Sequence, residues 1–219
     1  MHSSGERIRL TLHRGGDNPG MADSIVKDGY DKAAEAYLQE RNQFESNHYL
    51  DVLAPLLKPR AAVLDLGCGA GIPVDRYLVD RGFRVAGLDI SEKQIELARA
   101  SVPGATFAVA DMRGMRAGEY QVDAVVSFYA IFHLPRESHE SLFRTINTFL
   151  GPGGYILVTM GASEWEGAEP DFCGVPMWWS HYGPDENRAI IRRAGFEILL
   201  DEIDESGHER HQVIVARKI

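Results

Sequence analysis

Residues 63–73 read VLDLGCGAGIP: an apolar run interrupted by Asp65, glycine at 67, 69 and 71, then a proline. The apolar run from Ala61 to Leu66 has strand length. Pro73 suits the first turn of a helix that carries Val74, Tyr77 and Leu78 on one side and closes at Gly82. The stretch therefore reads as strand, tight turn, helix. Three glycines crowded into the turn require an explanation. At the carboxyl end of the first strand of a parallel sheet, bare backbone lets the chain lie against a ligand.

The same grammar continues outward. FRVAGLD (83–89) is a second strand, and Ser91 with Gln94 reads as a capping box opening the helix EKQIELARA. ATFAVAD and VDAVVSF are further strands, HESLFRTINTFL is a helix, and GPGG turns the chain into the strand YILVTM. A helix from Pro184 to Ala194 precedes GFEILLDEI, and HQVIVARKI is the last strand, antiparallel to its neighbour across the hairpin at DESGHER. Upstream, spacings of three and four at Tyr30, Ala33, Ala34, Tyr37 and Leu38 predict a helix from about Asp23 to Gln43. Tyr49, Leu50, Leu53 and Leu57 predict a second. Strands alternating with helices imply an α/β fold: a Rossmann-like, doubly wound, mostly parallel seven-stranded sheet with an antiparallel last strand and helices on both faces. The expected organisation is a tail over 1–22 and one domain over 23–219. That domain has a helical lid at 23–58 and a long insertion at 161–183 that reads as a functional loop.

Composition narrows the function. The chain has 219 residues, 23 basic and 32 acidic side chains and a net charge of −9, a balance that disfavours nucleic acid or an anionic membrane as partner. Cys68 and Cys173 are the only cysteines, too few for a disulfide framework or a four-thiolate zinc site, and fit a reducing cytoplasm. No run approaches the roughly 20 apolar residues of a membrane span, and the first twenty residues lack the apolar core of a signal peptide.

Two cofactor classes use a glycine turn of this kind. A dinucleotide fingerprint needs glycine or alanine three residues after its second glycine. That position is Ile72 or Val74, depending on the register, so the fingerprint fails in both. Asp65, one apolar residue, then Gly67-Cys68-Gly69-Ala70-Gly71 instead resembles the class I S-adenosylmethionine-dependent methyltransferases. The likeness is carried further by Asp89 in GLDIS, Asp111 in VADMR and the turn and strand LGPGGYILVTM. The resemblance implies that Gly67, Cys68 and Gly69 hold the methionine part of S-adenosylmethionine and that Asp65 assists its ammonium. It implies too that Asp89, with Ile90 beside it, binds the ribose hydroxyls, and that Asp111 and the backbone of Met112 meet the adenine. Ser127 and Phe128 would line the adenosine pocket, and Tyr30 and Tyr37 in YDKAAEAY would form a lid over the cofactor. A carboxylate can accept from two adjacent hydroxyls at once, which suits Asp89. Plainer readings stand beside these: Asp89 as a helix N-terminal charge, Asp65 and Asp111 as turn residues, Cys68 as a small filler, the tyrosines as core.

The implied reaction is in-line displacement at a sulfonium methyl, forming S-adenosylhomocysteine. Alignment can supply about 7–11 kcal/mol, whereas a general base adds about 10²–10⁴-fold and matters only if the acceptor must lose a proton. His133, in SFYAIFHLP after the fourth strand, is the candidate base. A helix-start histidine bonded to backbone is its plainer reading. Ser127-Phe128-Tyr129-Ala130 lacks the pattern of family members that methylate nucleic-acid bases, so a small-molecule acceptor, methylated on oxygen or nitrogen, is expected. Tyr129, His133, Trp165, Trp178, Trp179 and His181 are the candidate acceptor-binding residues, the tryptophans and His181 crowding the insertion. No metal is expected, because His208 and His211 of HERH fall in a predicted hairpin. Two rival readings are a cofactor-binding regulator without catalysis and a nicotinamide-dependent oxidoreductase with a variant turn.

Overall fold

The computed structural model describes residues 8, 10, 25–34, 47–206 and 210–219. Residues 25–34 form α1. The chain continues through α2 (Asn47–Leu53), β1 (Ala62–Leu66), α3 (Val74–Asp80), β2 (Arg84–Asp89), α4 (Glu92–Ser101), β3 (Thr106–Val109), β4 (Val122–Ser127) and α5 (His139–Phe149). β5 (Leu150–Gly161), β6 (Trp165–Phe172), β7 (Val175–His181), α6 (Pro184–Arg193), β8 (Phe196–Asp204) and β9 (His211–Lys218) complete it.

Seven strands make one sheet in the order β3-β2-β1-β4-β5-β9-β8. The pairs from β3 to β5 are parallel, and β9 runs antiparallel to both β5 and β8. All five residues of β1 are buried, because helices cover both faces and an unbroken apolar run is what such a strand needs. Ala62, Leu64 and Leu66 join the layer containing Phe143 and Ile146 of α5 and Ile190 and Ile191 of α6. Val63 faces the opposite layer, with Leu50 and Leu53 of α2 and Leu78 of α3. Strand order reverses between β1 and β4, which opens a crevice at their carboxyl ends.

Four local expectations change. The insertion is not an irregular loop but a β-hairpin, β6–β7, closed by Cys173 (φ 50°) and Gly174 (φ 83°), the paired left-handed geometry of a two-residue turn. Its register slips between Glu169 and Phe172, where Pro170 has no N–H to pair. GPGG lies within β5 as a bulge: Val122 pairs with Leu150, while Ala124 pairs with Tyr155. The capping box at α4 is half made. Gln94 N–H donates to Ser91 Oγ (3.1 Å), but the Ser91 N–H donates to Asp89 Oδ1 (2.8 Å) and not to Gln94. Of the expected lid, α1 reaches the crevice, whereas α2 packs into the core.

Candidate active site

The glycines of the turn have different reasons. Gly67 (φ +75°) leads the chain under the segment after β4, where a β-carbon would overlap the Ala130 methyl, so this glycine makes room for protein. Gly69 (φ +54°) has nothing nearer than 3.8 Å to such a carbon, and it lines the crevice. Gly67 borders the cleft as well, but there the absent side chain makes room for Ala130.

Asp89 ends β2 at the floor of the crevice. Its Oδ2 accepts the Gly69 N–H (2.9 Å) and its Oδ1 accepts the Ser91 N–H, so the carboxylate ties the glycine turn to the start of α4. Burial pushes its pKa up to about 6, while the Ser91 and Gly69 amides pull against that shift. A carboxylate offers about four acceptor sites, so the backbone donors, the Ile90 amide among them, still leave capacity for a hydroxyl. Ile90, Asp111, Met112 and Phe128 line the same cleft. The Asp111 carboxylate is gripped by the Arg113 guanidinium and accepts the Arg113 N–H (2.9 Å), so it starts a turn as well as facing the cleft.

Three candidates lie behind the cleft wall. Ser127 is buried and donates its hydroxyl to Leu66 O (2.7 Å), bracing β4 against β1. Cys68 turns its thiol into a cluster with Ile95, Ala98, Val102 and Phe107, where burial raises its pKa well above the usual thiol range and leaves it inert as a nucleophile. Asp65 is buried near the end of β1, and its negative charge adds to the burial that raises the Asp75 pKa. Tyr37 lies outside the described residues, as does His208.

A roof spans the crevice. The Tyr30 hydroxyl of α1 meets His133 Nε2 at 2.8 Å, and His133 Nδ1 meets the Trp178 carbonyl of β7, also at 2.8 Å. A carbonyl only accepts, so Nδ1 carries the proton and Nε2 accepts from Tyr30. Burial lowers the His133 pKa to about 4, which keeps the ring neutral. Its backbone-bonded role and its place in the cleft thus coexist. Asp31 supplies a second tie, accepting the Ser91 hydroxyl (2.5 Å) beside Asp89. At Gly29, where a β-carbon would lie 2.9 Å from Met177 Cε, α1 presses against β7.

A second hollow, about 590 Å³, opens under the hairpin between Phe132, Trp165, Trp179, His181, Glu169, Arg210 and His211. Trp179 packs on His133 (ring centroids 4.4 Å apart) and on Phe132 (5.3 Å), so Phe132, His133 and Trp179 form the wall shared with the first cleft. The candidate acceptor residues therefore divide. Tyr129 and His133 face the cleft, Trp165, Trp179 and His181 face the hollow, and Trp178 contributes its carbonyl to His133. Arg136 pins the hairpin by pairing with Glu164 (2.8 Å) and Glu166 (3.3 Å). Sequence reading missed Asp31, Phe132, Arg136 and His211. Their cross-element partners lie 28 to 82 residues away, and only the paired FH at 132–133 offered a local hint.

The cleft fits S-adenosylmethionine on its donor set: a buried carboxylate for vicinal hydroxyls, an open glycine face and apolar walls for a flat ring. Gln94 adds a buried side-chain amide, 1 % exposed, whose oxygen and nitrogen both lack a partner among the described residues and whose Oε1 stands 3.8 Å from a β-carbon placed on Gly69.

Comparisons with known proteins agree. A methyltransferase-domain family profile matches residues 63–154. The chain is 32% identical over 180 residues to an uncharacterized methyltransferase of Synechocystis sp., covering 79% of this chain and 83% of that protein. It is 30% identical over 165 residues to phosphoethanolamine N-methyltransferase 3 of Arabidopsis thaliana, covering 72% of this chain but 32% of the plant protein. In fold it is similar to the magnesium protoporphyrin IX methyltransferase of Synechocystis, solved with bound S-adenosylhomocysteine. The TM-score is 0.61 and the identity 17%, over 94% of this chain and 90% of that one.

Proposed function

This chain belongs to the class I S-adenosylmethionine-dependent methyltransferases, and we propose that it methylates a nitrogen or oxygen of a small molecule whose reacting atom enters the cleft beside Tyr129 and His133. The cofactor, when bound, supplies a methyl already activated on a sulfonium. The protein's task is alignment. Asp89 accepts from the ribose hydroxyls, Gly69 lets the loop lie against the cofactor, and Ile90, Met112 and Phe128 wall the ring. Tyr30 donates to His133 at the edge of the cleft, and a phenol oxygen can accept as well as donate. With its pKa near 4, His133 is a weak proton acceptor, so it serves by fixing Tyr30 and closing the roof.

The observation that carries this reading is the chain Tyr30–His133–Trp178, which joins α1, the segment after β4 and the hairpin at the wall between cleft and hollow. An amine acceptor is supported by the aromatic side chains of Phe132, Trp165 and Trp179, which line the hollow together with Glu169 and Arg210, and by the name of the Arabidopsis relative. The test is incubation with methyl-labelled S-adenosylmethionine and separate pools of small amines, phenols and carboxylic acids. Label is expected in an amine. Label in a phenol or acid would replace the amine assignment, and cofactor binding without label in any pool would favour a regulator.

A further inference from the structure

α1 is tied to both banks of the crevice. Tyr30 reaches His133 after β4, and its neighbour Asp31 reaches Ser91 after β2, 60 residues along the chain. The two oxygens of Asp31 have separate partners. Oδ2 accepts from Lys27 Nζ (2.9 Å) within the same helix, while Oδ1 accepts the Ser91 hydroxyl (2.5 Å) and, at 3.4 Å, the Lys93 N–H. Ser91 is 0 % exposed and bonds in three directions. Its hydroxyl donates to Asp31, its Oγ accepts the Gln94 N–H (3.1 Å), and its own N–H donates to Asp89 Oδ1 (2.8 Å). Asp89 Oδ2 in turn accepts the Gly69 N–H (2.9 Å), and both residues line the cleft. One continuous run of bonds therefore joins α1 to the carboxylate at the cleft floor. A hydroxyl that donates to an anion is a better acceptor, so Asp31 strengthens the Gln94 bond that fixes Ser91 at the start of α4.

We propose that Asp31 is a positioning residue for the cofactor: acting through Ser91, it holds the Asp89 carboxylate in the orientation that receives a ribose hydroxyl. This rests on the reading that Asp89 accepts from the ribose. A carboxylate gripped only by nearby backbone amides moves with its loop. The Asp31–Ser91 bond anchors that loop to a helix from a distant part of the chain, and the same helix carries Val26 and Tyr30 to the cleft. Seating α1 and fixing Asp89 are therefore one cooperative step, so less freedom is lost at the cleft floor when the cofactor binds.

The test is calorimetry of the full chain with S-adenosylhomocysteine, run as double-mutant cycles. Asp31→Ala is expected to weaken binding about tenfold, and Asp31→Asn, which keeps an oxygen for the Ser91 hydroxyl, no more than about threefold. In an Asp89→Ala background, Asp31→Ala should cost less than about twofold, because its route to the ribose is already gone. Ser91→Ala keeps the N–H to Asp89 but removes the hydroxyl. It too should weaken binding, and Asp31→Ala should add less than about twofold to that loss. Equal losses from Asp31→Ala in the wild-type and Asp89→Ala backgrounds would mean that Asp31 acts without Asp89, and would overturn the proposal. So would unchanged affinity in Asp31→Ala, or a folded Asp31→Asn that loses as much as Asp31→Ala. Should Asp31→Ala not fold, Ser91→Ala decides, and unchanged affinity there overturns the proposal as well. Asp89→Ala alone tests the premise: if it spares S-adenosylhomocysteine, the ribose reading fails and this proposal fails with it. If it weakens binding while Asp31→Ala does not, the proposal alone fails.

Discussion

Tyr30 and His133 are 103 residues apart in the chain, yet the phenol oxygen and the imidazole Nε2 stand 2.8 Å apart over the cofactor cleft. Removing the hydroxyl with Tyr30→Phe leaves the ring packing on Phe172 and His133 in place and deletes the bond. One neutral hydrogen bond contributes about 0.5–1.5 kcal/mol to stability, so the fold should persist. Turnover is expected to fall about tenfold to a hundredfold while cofactor affinity changes less than threefold, as steady-state kinetics and calorimetry would show. An equal loss in both would place Tyr30 in cofactor binding alone.

Asp89 links cofactor affinity to pH. Burial raises its pKa to about 6, with the Asp31 charge adding to the rise. Ribose hydroxyls need the ionised form as acceptor, so affinity should hold at pH 7–8 and fall as pH drops below about 6. Asp89→Ala should cost about 1.5–3 kcal/mol of binding, the range for a hydrogen bond to a charged group. Affinity that is flat between pH 7.5 and 5 would count against the carboxylate's role.

Gly67 and Gly69 should answer alanine differently. Both carry positive φ, which costs about 1–2 kcal/mol for an alanine, but only at residue 67 does the new methyl meet Ala130. Gly67→Ala is expected to lower the unfolding midpoint more than Gly69→Ala, and adding Ala130→Gly should restore part of the loss. Gly69→Ala should mainly weaken the cofactor. Thermal unfolding with and without S-adenosylhomocysteine distinguishes the two.

His139, fully buried at the start of α5, has its pKa lowered to about 4, chiefly by burial. A folded pKa below the unfolded value near 6.5 means that its contribution is complete above pH 6.5 and is lost as pH falls toward 4. At pH 5 the loss is about 2 kcal/mol. Asp75 works in the opposite direction, since its raised carboxyl pKa favours the fold at lower pH. The informative measurement is therefore the difference between His139→Leu and wild type. Denaturant midpoints should fall less steeply in the variant between pH 7.5 and 5.

Arg136 holds the hairpin through Glu164 and Glu166 and lies 5.3 Å above the Tyr182 ring. Exposed ion pairs contribute little, so Arg136→Ala should cost at most about 1 kcal/mol of stability. The hairpin roofs the hollow, however, and the KM for the acceptor is expected to rise several-fold with cofactor affinity unchanged. Faster amide exchange confined to β6 and β7 would confirm that the pin was the cause.

Much of this protein was written in periods that local chemistry enforces. The apolar run of β1, the glycine turn, Ser91 at the start of α4 and the alternation through β9 each depend on neighbours a few residues away. For that reason the doubly wound sheet, its antiparallel last strand and the floor of the cleft could be read in order. Asp89 belongs with these, because a strand end followed by a helix start fixes where its carboxylate must sit. The hairpin was misread because Pro170 and the glycines masked its alternation, and its turn has the unusual pair Cys173-Gly174.

What tertiary structure alone decided is which side chains face one another. Whether Gly67 makes room for a ligand or for Ala130 and whether His133 is free or spoken for both depend on segments brought together by burial from distant parts of the chain. Sequence spacing records the period of each element. It does not record the offset between elements, and that offset sets hydrogen-bond partners, desolvation and charge in the site.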